Sequence, residues 1–197
     1  MRKVLSFAIV ALLLTGVTAR ALADFDADTD YSLLMTAAAV AGDAEAGKLA
    51  ETRRNEKIDT LDSEEKKISY DDLVLLARVI HTEAGSDWLP DKWRMAVGEV
   101  LLNRVASPEF PDTLKECAYQ PGQYSGVASQ WFETLKPYAS CAAAAKRLLS
   151  GERVLNEPSV VFQSGEEQGS GVFLELSDTV FGSTYFCYTN HPELYEG

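Results

Sequence analysis

Basic residues and cysteine are scarce in this 197-residue chain, and histidine scarcer still. Eighteen Lys and Arg face 30 Asp and Glu, a net charge of −12. A surface of that sign repels nucleic acid and anionic lipid, which excludes both as broad-surface partners. Three cysteines, Cys117, Cys141 and Cys187, allow one disulfide at most, in any of three pairings, or three buried thiols. The two histidines, His81 and His191, stand far apart and neither CxxC nor HExxH occurs, so the sequence offers no metal-ligand pattern and calls for no cofactor.

Long hydrophobic runs are lacking too. The most sustained one, residues 5–14, is about half the ~20 residues that cross a bilayer as a helix. It follows Arg2 and Lys3 and leads to small residues ending in Ala21-Leu22-Ala23, the layout of a secretory signal peptide. Residues 1–23 are expected to direct export and to be removed after Ala23. Cleavage there discards three of the basic residues and no acid, leaving 15 against 30 and a net charge of −15. The mature chain is expected outside the cytoplasm with no membrane anchor.

What remains divides by composition. Residues 24–30 form an acidic, aperiodic start, expected to be flexible. Residues 31–58 have helix-forming composition, broken at Gly42-Asp43, where glycine stops one helix and aspartate caps the next. This helical hairpin cannot bury its own face, so it must pack on the main domain or on a protein partner. The charge pattern of the second half, usual for a solvated helix face, favours a plain structural appendage over a binding module. Residues 59–68 are a polar linker, and residues 69–197 form the main domain.

Within that domain, Asp71 or Asp72 is placed to cap a helix that runs to Ala84 and stops at Gly85. Further helices are expected over 92–105, over a short stretch from Pro111 to Ala118, and over 137–149. The pattern then changes to β-branched and aromatic runs at 159–163, 171–176 and 183–188. Helices first and strands last predict an α+β fold with a small antiparallel sheet.

One carboxylate is out of place. On the 71–84 helix Glu83 lies ~20° from Leu76 and ~40° from Val79, inside the apolar arc, at ~100° per residue. Desolvation there raises a carboxyl pKa, as a general acid requires near neutral pH. The negative end of the helix dipole acts in the same direction. The competing reading is a structural ion pair with Arg104, which sits on the apolar stripe of the following helix. Elsewhere, residues 107–125, "SPEFPDTLKECAYQPGQYS", combine prolines, glutamines and aromatic rings in a loop that is costly to order for connection alone. Rings stack on sugar faces and amides bond their polar groups, which makes Tyr119, Gln120, Gln123 and Tyr124 candidate substrate contacts. Asn103 is a further candidate, with a helix-end hydrogen bond as its structural alternative.

From about residue 69 to 188 the chain resembles the bacterial cell wall hydrolase family that includes spore cortex-lytic enzymes. The residues that carry the resemblance are "LARVIHTEA" (76–84), "MAVGEVLLNRV" (95–105), the 107–125 segment and, more weakly, "FGSTYFCY" (181–188). The resemblance implies a lysozyme-like helical domain, peptidoglycan as substrate, and a catalytic glutamate in the Glu-Ala step, here Glu83. Two departures stand out: the glutamate step continues as Gly85-Ser86-Asp87 where many members have Arg-Gly-Glu, and Thr184 occupies a final-strand position that is often histidine. The resemblance favours a lytic transglycosylase, in which the substrate's own C6 hydroxyl replaces a second carboxylate. A true muramidase or glucosaminidase would need one, from Asp87, Glu99 or Asp112, with Glu99 expected to be solvated. A non-catalytic wall-binding protein is the third reading.

Overall fold

The computed structural model describes residues 28–61 and 63–195. The expected signal peptide, and most of the acidic start, lie outside the described residues. The elements in chain order are α1 (Tyr31–Ala41), α2 (Ala44–Thr60), α3 (Tyr70–Ala84), α4 (Asp91–Ala106), α5 (Leu114–Ala118), α6 (Ala139–Leu149), β1 (Val160–Ser164), β2 (Val172–Asp178) and β3 (Gly182–Tyr188). The fold is α+β: among the described residues, six α-helices are followed by an antiparallel sheet of order β1-β3-β2.

The helix boundaries follow local chemistry. Gly42 adopts the left-handed conformation (φ 71°) that ends α1, and the Asp43 carboxylate then accepts from Ala46 N at 3.0 Å to start α2. Ser69, rather than Asp71 or Asp72, caps α3, its hydroxyl accepting from Asp72 N at 3.3 Å. The two aspartates fall in the first turn instead, where the helix dipole favours them. Thr113 caps α5, which begins later than Pro111 and Asp112 suggested.

Two apolar clusters share α4 between them. The first joins α1, α2, α3 and α6 through Leu34, Met35, Leu73, Leu76, Met95 and Leu148. The second joins the end of α3 and one face of α4 to the sheet through Ala84, Trp93, Val97, Val100, Val160 and Phe186. The hairpin packs on the main domain, one of the two fates expected for it. Tyr31, Leu34, Met35, Ala38 and Ala46 are all buried in the first cluster. Gly47 lets α2 approach Tyr70 so closely that a Cβ there would fall 2.2 Å from the ring. The three cysteines are free thiols and all buried, so no disulfide ties these layers together.

Candidate active site

Glu83 lies in the last turn of α3, between Ile80 of the first cluster and Ala84 of the second. It is neither sealed in nor open to bulk water. Its side chain is partly buried and lines an open groove of about 410 Å3 together with His81, Thr82, Ser86, Asp87, Trp88, Tyr138 and Phe181. Burial pushes its carboxyl above the usual range, while the Thr82 hydroxyl and the Arg104 charge partly offset that. A carboxyl of this kind holds its proton to higher pH than an exposed one, and a ligand in the groove can reach it.

The walls are held from behind. Arg94, itself buried, donates through Nη1 to Leu89 O and through Nη2 to Ser86 O, both at 2.8 Å, fixing the turn that carries Ser86, Asp87 and Trp88. His81 stacks on Tyr138, ring centroids 4.1 Å apart, and its Nδ1 accepts from Tyr138 N at 3.3 Å. That contact needs an unprotonated Nδ1, and burial lowers the pKa of this imidazole in the same sense. Phe181 reaches in from the β2–β3 turn and packs edge-on against Trp93, whose indole donates to Thr184 Oγ1 at 3.2 Å. Thr184 thus anchors the sheet to α4.

Three aromatic side chains of the groove are substantially exposed: Trp88 at 59%, Tyr138 at 49% and Phe181 at 40%. Exposed rings beside a buried acid can stack on the apolar faces of sugars. Sequence reasoning missed all three. They come from a turn, a helix start and a strand turn, and no periodicity links them.

The residues expected to bind substrate are dispersed. Tyr119 is turned away from Glu83 into a separate groove, where its hydroxyl donates to Glu133. Gln123 is exposed and Gln120 partly buried, and neither lines the Glu83 groove. Tyr124 is buried, with no hydrogen-bond partner for its hydroxyl among the described residues, and burial pushes its pKa to about 12. Its ring lies under the Arg104 guanidinium, 5.2 Å from centroid to Cζ. Both amide protons of Asn103 go to backbone carbonyls, Glu157 O at 3.0 Å and Val160 O at 2.9 Å, so the amide secures the entry to β1.

Two charged residues need correction. Arg104 makes no ion pair with Glu83 within 4 Å. It donates through Nε to Val161 O at 2.6 Å and sits over Phe110 and Tyr124. Glu99, expected to be solvated, is 1% exposed and accepts from three successive backbone N–H groups, Val154 and Leu155 on Oε2 and Asn156 on Oε1, at 2.6–2.9 Å. Both carboxylate oxygens are turned to the chain segment before β1, and Glu99 does not line the Glu83 groove. Asp112 is exposed and outside the groove, leaving Asp87 as the other acid lining it.

A family model described as cell wall hydrolase matches residues 90–169, from the start of α4 past β1. A spore cortex-lytic enzyme of Oceanobacillus iheyensis is 34% identical over 67 residues, 33% of this chain and 24% of the relative. The chain thus spans about a quarter of the length of that relative. No solved structure matches the chain. Glu83 lies seven residues ahead of the span that the family model matches. Through residues 90–169 the chain is thus similar to the cell wall hydrolase family, and over 67 residues to a spore cortex-lytic enzyme.

Proposed function

We propose that this protein is exported and cleaves the glycan strands of peptidoglycan as a lytic transglycosylase, with Glu83 as its acid. The carrying observation is a carboxyl whose pKa is raised by burial, opening onto a groove faced by three exposed rings. The family description and the spore cortex-lytic relative support the polymer. In the reaction the Glu83 O–H protonates the glycosidic oxygen and the bond from that oxygen to C1 of N-acetylmuramic acid breaks, releasing the N-acetylglucosamine side. The Glu83 carboxylate then takes the C6 hydroxyl proton as that oxygen bonds to C1, closing a 1,6-anhydro ring. The acid ends as it began, and no second carboxylate is used.

A hydrolytic route through Asp87 is the second reading, because Asp87 is exposed in the same groove and could activate water. Fragment mass spectra from purified peptidoglycan separate the two: anhydro-muramic ends are expected, and reducing ends would give the reaction to Asp87. Turbidity clearing should fall at least 100-fold in Glu83→Gln, the lower end of what general acid catalysis contributes. A wall left intact by both proteins would mean a binding protein.

A further inference from the structure

Residues 135–138 are tied to α3 by two side chains one helical turn apart. Arg78 donates through Nε to Leu135 O at 2.9 Å, and His81 Nδ1 accepts from Tyr138 N at 3.3 Å. Pro137, which has no N–H to offer, is buried between these ties. Tyr138 immediately precedes α6, whose start has no side-chain cap. The place of the Tyr138 ring in the Glu83 groove therefore depends on His81, through the backbone bond and through the ring stack at 4.1 Å.

The two ties differ in kind. A guanidinium keeps its charge and its N–H groups across the working pH range, whereas an imidazole gains a proton within it. A doubly protonated His81 turns an N–H toward the N–H of Tyr138, and two donors cannot bond each other. Asp87, from the turn after α3, favours the protonated ring, but burial opposes it and is the larger effect. Glu83 and the Tyr138 phenol line the same groove, while Arg78 is directed to Leu135 O and Glu133. The net lowering keeps His81 neutral, and the tie made, at pH 7.

We propose that His81 is a positioning residue: its neutral imidazole holds Tyr138 in the Glu83 groove, and acidification releases the ring and weakens the grip on substrate. The proposal rests on the glycan-cleavage reading above, in which Tyr138 is one of three rings that stack on sugars. It adds an arm to the pH profile. Glu83 works protonated, so by itself it costs activity only as pH rises; in the transglycosylase route, loss on the acid side belongs to His81.

The first test is an NMR titration of the full-length protein between about pH 4 and pH 8, spanning the imidazole range. The Tyr138 amide is expected to shift with the same midpoint as the His81 ring, below the usual 6.5, and to lose that midpoint in His81→Asn. An asparagine oxygen replaces the Nδ1 acceptor without titrating. The second test follows cleavage of soluble peptidoglycan fragments. At pH 7, His81→Phe keeps a ring to stack but no acceptor, and kcat/KM is expected to fall about tenfold, mostly through KM. His81→Asn should regain part of that loss and show no acid arm. A Tyr138 amide that ignores the imidazole midpoint, a wild type without an acid arm, or an acid arm that persists in His81→Asn overturns the proposal. If Asp87→Asn then removes a persisting arm, that arm belongs to the hydrolytic route. The two readings fail separately: a co-titrating Tyr138 amide in a protein that cleaves nothing supports the tie and removes the proposed activity, whereas cleavage with a flat acid side does the reverse.

Discussion

At the scale of single residues, a buried glutamate and a partly buried one have opposite fates, and their surroundings decide which can do chemistry. Glu99 meets three backbone N–H groups and spends its charge on the segment entering β1. Replacing it with alanine leaves those donors buried and unpaired, and at about 1–3 kcal/mol each the loss is expected to be ~3 kcal/mol or more. Chemical denaturation would read this as a lower midpoint, and a stable Glu99→Ala protein with no activity would instead reopen a catalytic role. Glu83 has no such donors, so burial raises its pKa. A folded pKa above the unfolded one means that ionisation destabilises the fold: the cost is absent below the unfolded pKa and fully present above the folded one. Glu83→Gln is therefore expected to melt at a higher temperature than the parent at pH 7, with the gap closing below pH 4. Activity should fall as pH rises through the raised value, because the working form is the protonated one. Glu83 was legible in the sequence because one helix sets its environment. Glu99 was not, because its partners lie 55–57 residues away.

At the scale of elements, the periodicity of α3 and the β-branched runs of the sheet were readable, whereas α4 was misread as having a solvated side. Residues 93–101 of α4 are buried without a break, polar Arg94 and Glu99 among them, because the helix lies between two apolar clusters. A stripe on one helix reveals one neighbour; a second layer shows only when the chain folds back. The same limit left open which surface the hairpin packs on, and here α2 meets α3 at Gly47 and Tyr70. Gly47 is a poor helix former, so Gly47→Ala should gain up to about 1 kcal/mol from propensity alone. The added methyl would sit 2.2 Å from the Tyr70 ring. Overpacking of this kind costs ~1–3 kcal/mol, so a net drop in melting temperature is expected. A rise would show that the hairpin rides loosely on α3.

At the scale of the whole molecule, the groove around Glu83 collects side chains from α3, the turn after it, the start of α6 and the β2–β3 turn, so its rings could not be found in any one segment. The substrate residues expected within the 107–125 segment share a sugar-binding chemistry, yet the fold distributes that segment to the core, to the surface and to the separate groove beside Tyr119. The boundary expected near residue 69 raises a similar question, because composition changes there while packing does not. Tyr31, Leu34, Met35 and Ile58 are each at least 93% buried, three of them in the same cluster as Leu73 and Leu148. At ~1.5–3 kcal/mol for each large side chain, losing their burial removes on the order of 6–12 kcal/mol. That is comparable to the ~5–15 kcal/mol that holds a whole domain together. The α3 and α6 faces beneath them would also be laid open to water. A chain beginning at Ser69 keeps Glu83 and all of residues 90–169, yet it is expected to be insoluble or to lack a cooperative melting transition. If it instead melts as sharply as the parent and clears peptidoglycan, the hairpin is a separate module after all, and the shared core described here contributes little.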